Sequence, residues 1–287
     1  MKKSRNIIPN EVIQGRNTWL KRIIKSNRLL YRLIFQLRNC NHFVFILKNF
    51  WRDTDSLFKF LIIETCPLCN RQCSFCPVSQ DKIPKEMMND KLFNKILTEL
   101  KELNFHDNIC LTSYGEPLLD KRLARFIKQI KTTLGSEVAI FTNGDFLTIE
   151  KFKELVSAGI DRIHISQHDS EPSETIKNLF SQISQDELKY ISYEFTNENS
   201  VTLANRGGLV EVKTLHPFYC SPQQMIIRAD GSVPLCCNDY YKEVNFGNVK
   251  EEKLIAIWNK PFYRKIRNEI KKGIFNLEIC KKCLGIK

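Results

Sequence analysis

The chain predicts an α/β protein built on a parallel sheet, with a helical extension in front and a cysteine-rich unit behind. Three observations carry that expectation. From Lys59 onward, short apolar runs alternate with amphipathic helical periods. Three cysteines, Cys69, Cys73 and Cys76, crowd one loop directly after the first apolar run, Phe58 to Ile63. Four more, Cys220, Cys236, Cys280 and Cys283, frame the C-terminal region. The expected units are residues 1–57, 58–213 and 214–287.

Between Asn17 and Trp51, Leu20, Ile23, Ile24, Leu29, Leu30, Leu33, Ile34 and Leu37 recur at helical steps, with Lys21, Arg22, Lys25, Arg28, Arg32 and Arg38 between them. This reads as a basic amphipathic helix or helix pair. Residues 1–57 hold 12 Lys and Arg against 3 Asp and Glu, so most of the net charge of +12 sits there. The plain expectation is a helix packed on the body of the protein; the sharper one is peripheral contact with an anionic membrane at the inner face. Nucleic acid is disfavoured as a partner, because a surface shaped for it would spread basic charge around the active-site mouth. Arg38, Lys48 and Arg52 interrupt the most apolar stretch, so no membrane-spanning helix is expected.

The helical period Lys91 to Leu103 buries Leu92, Phe93, Ile96, Leu97, Leu100 and Leu103, with Asn89 or Asp90 as cap. A strand follows at Ile109 to Leu111, and Asp120 is the expected cap of a helix carrying Leu123, Phe126, Ile127 and Ile130. Val138 to Phe141 reads as a strand, Thr148 to Ala158 as a helix closed by Gly159, and Arg162 to Ser166 and Tyr190 to Phe195 as two further strands. Beyond Thr214, Met225 to Arg228 and Val233 to Leu235 flank Asp230-Gly231 as a hairpin, and helices are expected at Glu251 to Trp258 and Pro261 to Lys272.

The loop motifs fall at the carboxyl ends of the strands, where α/β proteins keep their chemistry. Three thiolates on one loop leave a [4Fe–4S] cluster with one iron open to an outside ligand, whereas a zinc knuckle would need a fourth ligand such as Cys66. In the C-terminal set, four thiolates close a site completely, which suits structural zinc as well as an iron–sulfur cluster, and Cys237 competes with Cys236 for one position. The chain carries 11 cysteines without an export signal, so the thiols are expected to be reduced and cytoplasmic.

The Cys69, Cys73, Cys76 spacing with Phe75, the segment Tyr114-Gly115-Glu116-Pro117 and the segment Thr142-Asn143-Gly144 together resemble the radical S-adenosylmethionine (SAM) enzymes. Gly231 to Cys236, Gly247-Asn248-Val249 and the terminal Cys280, Cys283 pair resemble the twitch/SPASM auxiliary-cluster domain. With Gln167-His168 and Asn205-Arg206-Gly207-Gly208, the match extends over residues 58 to 283 and looks like the radical SAM dehydrogenases that oxidise an aminocyclitol alcohol.

The resemblance implies a partial (β/α) radical SAM barrel with a C-terminal twitch-type domain and two [4Fe–4S] clusters. Cys69, Cys73 and Cys76 would hold the SAM-binding cluster, and Cys220, Cys236, Cys280 and Cys283 the auxiliary one. Phe75, Gly115, Glu116, Pro117, Asn143, Ser166 and Gln167 would border SAM, with Arg206 and Tyr114 at the substrate. The implied reaction starts with a 5′-deoxyadenosyl radical abstracting hydrogen from a secondary alcohol of an aminocyclitol or carbohydrate; the auxiliary cluster then takes an electron, leaving a ketone. A flavodoxin or ferredoxin-type reductant would feed the first cluster. Cys237 departs from the pattern and, as a hydrogen donor, would turn the outcome into epimerisation; a peptide-modifying enzyme is a third reading.

Overall fold

The computed structural model describes residues 56–285, except 80, 82–84, 170, 196–204 and 212–219. The expected basic helical extension therefore lies almost wholly outside the described residues. Six strands form one sheet in the order β5-β4-β3-β2-β1-β6. They are β1 (Phe60–Ile63), β2 (Asn108–Cys110), β3 (Val138–Thr142), β4 (Arg162–Gln167), β5 (Ile191–Phe195) and β6 (Gln224–Ile227). Every neighbouring pair is parallel, so all six carboxyl ends open on one rim. Four helices cover one face: α1 (Asp90–Glu102), α2 (Leu123–Leu134), α3 (Ile149–Ala158) and α4 (Glu174–Gln182).

Each helix forms where an apolar stripe can meet that face. In α1, Leu92, Phe93, Ile96, Leu97 and Leu100 are buried, and Asn89 caps the helix by accepting from Leu92 N at 2.8 Å. Complete burial of each such side chain contributes about 1.5–3 kcal/mol. Phe93 stacks on Phe126 of α2 at 3.9 Å between ring centroids. Thr148, expected as the first helical residue, caps α3 by accepting from Lys151 N, and Gly159 ends the helix in the left-handed region as expected. Asp120 behaves differently from expectation. Helix α2 starts after Arg122 without a side-chain cap, and the Asp120 carboxylate is occupied by the Arg122 backbone and guanidinium.

The opposite face of the sheet carries far fewer buried side chains. Ile62, Cys110 and Ile226 form a small buried cluster of their own there, with Phe60 and Cys237 packed on it. Register places Ile62 beside both Cys110 and Ile226. Further along this face Phe141 stacks on His164 at 4.5 Å.

The segment read as a hairpin divides between two sheets. Strand β6 pairs with β1 and completes the parallel sheet, while β7 (Ser232–Pro234) pairs antiparallel with β8 (Asn245–Asn248). The Asp230-Gly231 turn is present, with Gly231 N donating to Arg228 O at 2.9 Å, but it joins strands that belong to different sheets. Helices α5 (Leu254–Trp258), α6 (Pro261–Lys271) and α7 (Glu278–Leu284) complete the C-terminal region. This region is tied to the barrel through α1: Lys95 donates to Val249 O at 2.6 Å, and Leu254 N donates to Glu99 at 2.7 Å. Among the described residues no helix is long and apolar enough to cross a membrane.

Candidate active site

The cysteine loop rests on the end of β2. Gly115 approaches the loop so closely that a β-carbon there would lie 2.0 Å from Cys66 O, and Glu116 N donates to Leu68 O at 2.7 Å. The loop closes with Cys76 N donating to Cys73 O at 3.0 Å, and the Ser79 hydroxyl lies within hydrogen-bonding distance of both Cys73 O and Cys76 O. Between the first two cysteines, Arg71 reaches out as a fork. Its Nε and Nη2 bind Asp145 at 2.7 and 2.5 Å, and its Nη1 binds Asp169 at 2.9 Å. Asn70 donates to Asp145 at 2.7 Å and accepts from Asn143 at 2.9 Å. The loop is thereby fastened to the ends of β3 and β4 as well as β2.

Burial pushes the Cys69 and Cys73 thiols up, and their neighbouring thiols add to it; bound iron reverses that balance by favouring thiolate. Cys66 does not belong to this set. Its sulfur faces Leu68 O at 3.7 Å, and burial, with Asp120, Glu116 and Glu64 nearby, pushes it up to about 11. These surroundings do not favour a zinc knuckle that borrows Cys66. Two buried hydroxyls beside the loop, Thr65 Oγ1 and Ser113 Oγ, lack a hydrogen-bond partner. A polar ligand at the rim would satisfy them, so the donor set and the orphaned hydroxyls both fit a cluster with bound SAM.

Glu116 is buried and held by Thr142 Oγ1 at 2.7 Å, Asn143 N at 2.8 Å and Leu118 N at 3.0 Å. Its carboxylate therefore knits β2 to β3 and fixes Asn143, while Pro117 begins the short turn Pro117–Leu119. Phe75 meets His168 edge-on at 4.7 Å. Ser166 lies half-buried on the side of β4 away from the helices, opposite Glu194 in register. Gln167 is buried and points into the helix layer, where its amide binds Ser173 and accepts from Tyr193 OH at 3.1 Å, tying β4, β5 and the start of α4 together.

Tyr114 sits between two guanidinium groups, Arg206 at 5.4 Å and Arg228 at 5.0 Å from its ring. Its hydroxyl donates to Cys237 O. Burial pushes the phenol up, with Arg206 opposing, so Tyr114 stays protonated and cannot act as a base. Arg228 in turn pairs with buried Glu64 at 2.7 Å, and Glu64 also accepts from Tyr114 N.

The C-terminal cysteines converge on a cavity of about 250 Å³ lined by Cys220, Cys236, Cys237, Cys280 and Cys283, with Leu235, Ile270 and Leu284 among its apolar walls. Cys280 and Cys283 lie three residues apart on α7, hence on one face. Burial pushes Cys220 up to about 12 and Cys280 to about 11, with Cys283 adding to both. Five thiols on one cavity supply the donor type that an iron–sulfur cluster takes. Cys236 and Cys237 both line this cavity, and Cys237 also packs on the Ile62, Cys110 and Ile226 cluster of the sheet.

The Asn205–Gly208 loop bridges the two regions. Arg206, Gly207 and Gly208 all have positive φ, at 51°, 70° and 93°. A β-carbon on Gly207 would lie 2.8 Å from Ile279 of α7, so the loop can dock there only with glycine. Asn205 Nδ2 donates to Lys282 O at 2.9 Å. Sequence reasoning missed the Arg71–Asp145–Asp169 clamp, the Glu64–Arg228 pair and Asn238; opposite charges at the ends of adjacent strands were the available signal for the first.

Residues 63–191 match the radical SAM superfamily and residues 220–284 match the SPASM iron–sulfur cluster-binding domain. The chain thus carries a radical SAM domain and a SPASM domain, and the two together imply SAM and two iron–sulfur clusters. It is 27% identical over 241 residues to the S-adenosyl-L-methionine-dependent 2-deoxy-scyllo-inosamine dehydrogenase of Niallia circulans, covering 81% of this chain and 95% of that protein. The crystal structure of BtrN in complex with AdoMet and 2-DOIA matches with a TM-score of 0.70 and 27% identity, over 76% of this chain and 89% of that one. A GTP 3′,8-cyclase of Aquifex aeolicus is 34% identical over 131 residues, 42% of this chain and 38% of the relative. The shared part there is confined to well under half of either protein.

Proposed function

We propose that this protein is a radical SAM dehydrogenase that oxidises a secondary alcohol of an aminocyclitol or sugar-like molecule to a ketone. The observation that carries this reading is the docking of the Arg206 loop on α7, which stands Arg206 between Tyr114 at the rim and the cavity of the auxiliary cysteines. When bound, SAM with its cluster supplies the hydrogen-atom acceptor and the auxiliary cluster accepts the remaining electron.

The alcohol loses a hydrogen atom from carbon, a proton from oxygen and one electron, so the product is two mass units lighter. A guanidinium donates hydrogen bonds and does not accept a proton, so Arg206 orients the hydroxyl and stabilises negative charge on its oxygen while the proton leaves to solvent. Tyr114 supports the guanidinium through its ring. Phe141, stacked on His164, and half-buried Ser166 lie on the sheet face that carries Ile62, Cys110 and Ile226. An external one-electron donor of the flavodoxin or ferredoxin type supplies the first electron.

A second reading rests on Cys237. Burial keeps its thiol protonated, and it packs on Ile62, Cys110 and Ile226 on the sheet face opposite the helices, where it could return a hydrogen atom and give an epimer. One experiment separates the two. In the Cys280→Ala/Cys283→Ala protein, 5′-deoxyadenosine is expected to form without a matching amount of ketone. Full ketone yield from that variant would overturn the dehydrogenase reading, and wild-type product of unchanged mass carrying solvent deuterium would establish the epimerase in its place.

A further inference from the structure

We propose that Asn238 is a positioning residue that couples Arg206 to the auxiliary cluster and raises that cluster's reduction potential. Its side-chain amide spans the gap between the two: Nδ2 donates to Cys283 Sγ at 3.2 Å, and Oδ1 accepts from Arg206 Nη1 at 3.3 Å. One residue thus touches both a cysteine of the C-terminal set and the arginine of the substrate side. The amide's orientation is chemically determined, because a guanidinium can only donate and a thiolate can only accept.

The wall around it makes the contact consequential. Leu235, Ile270 and Leu284 line the same cavity, so the side-chain N–H of Asn238 acts on the Cys283 sulfur in a medium that screens poorly. Adding an electron makes a cluster more negative, and N–H groups aimed at its sulfurs stabilise the reduced form more than the oxidised one. The potential rises accordingly. Arg206, by polarising Oδ1, strengthens donation from Nδ2, so placing the arginine and tuning the electron acceptor become one structural event.

This inference rests on the auxiliary cluster and not on the identity of the alcohol, so its test needs no substrate. In a Cys69→Ala/Cys73→Ala/Cys76→Ala background only the auxiliary cluster remains, and its midpoint potential can be followed by electron paramagnetic resonance during redox titration. Asn238→Ala, which removes the donor, is expected to shift the midpoint to lower potential. Asn238→Asp keeps the size and the Arg206 partner but sets a carboxylate against the sulfur, and is expected to shift it further in the same direction. An unchanged or higher potential in Asn238→Asp overturns the proposal. Loss of the cluster from both variants also counts against it, since that result makes Asn238 a requirement for assembly and not a tuning group.

Discussion

Adding a single methyl group at position 115 is expected to unseat the SAM-cluster loop while sparing the second cluster. The β-carbon of Gly115→Ala would stand 2.0 Å from Cys66 O, 2.8 Å from Leu68 O and 2.8 Å from the carbonyl carbon of Pro67. The shortest of these falls roughly 1.5 Å inside ordinary contact distance. All three neighbours are backbone atoms, so no rotamer change relieves the clash and the loop itself must move. That movement stretches the 2.7 Å bond from Glu116 N to Leu68 O. Overpacking costs about 1–3 kcal/mol, and stranding a buried donor and acceptor about 1–3 kcal/mol more. The total of about 2–6 kcal/mol is a large part of the ~5–15 kcal/mol that holds a typical domain folded. Urea denaturation reads the destabilisation, and iron content with cluster spectroscopy reads which site is lost. A Gly115→Ala protein with both clusters at wild-type occupancy and stability within about 0.5 kcal/mol of wild type would refute the steric account.

Two further outcomes follow from the same geometry. Replacing Cys69, Cys73 and Cys76 together by alanine should abolish 5′-deoxyadenosine production while the auxiliary cluster stays in place; continued SAM cleavage by that protein would remove the loop from its assigned role. The Asp145 carboxyl is held below the usual range chiefly by its hydrogen bonds from Arg71. A depressed folded value means that this stabilisation is complete above the unfolded value of about 3.9 and is lost as pH falls through the lower folded one. Asp145→Asn should therefore cost on the order of 1 kcal/mol near pH 7, after allowance for solvent screening, with the gap closing below about pH 4. Denaturation at a series of pH values checks this, and a gap that stays constant down to pH ~2 would exclude the ion pair as its source.

The elements that sequence reasoning reached were those specified by neighbours in the chain. Asn89 and Thr148 cap their helices because each side chain needs only the backbone of the next turn. The Asp230-Gly231 turn was equally legible, but a turn does not say which strand its flanks will join. The pairing of Phe60 with Gln224 is a long-range event with no local signal. Gln167 was readable by parity. Along β4, Ile163 and Ile165 face the helices, so a residue two further on must face them too, whatever its polarity. The two cysteine sets were visible from spacing alone, whereas the Arg71 clamp draws on Asp145 and Asp169 from the ends of two other strands.

The place of β6 explains how the two cysteine sites keep a fixed relation. Strand β6 pairs with β1, whose end carries the SAM-cluster loop, and the chain leaving β6 leads through Arg228 to Cys236 and Cys237. Arg228 binds Glu64 at the end of β1, and Tyr114 at the end of β2 donates to Cys237 O, so the peptide bearing the cysteine doublet is held by the rim on one side. On the other side Asn238 and the Asn205–Gly208 loop tie it to α7 and its Cys280, Cys283 pair. The adjacent Cys236 and Cys237 both line the C-terminal cavity, and Cys237 also packs on Ile62, Cys110 and Ile226 of the sheet. A change in the pairing of β6 with β1 would displace the peptide of Cys236 and Cys237 and the Cys69–Cys76 loop together, so that register fixes the spacing between the two cysteine sets.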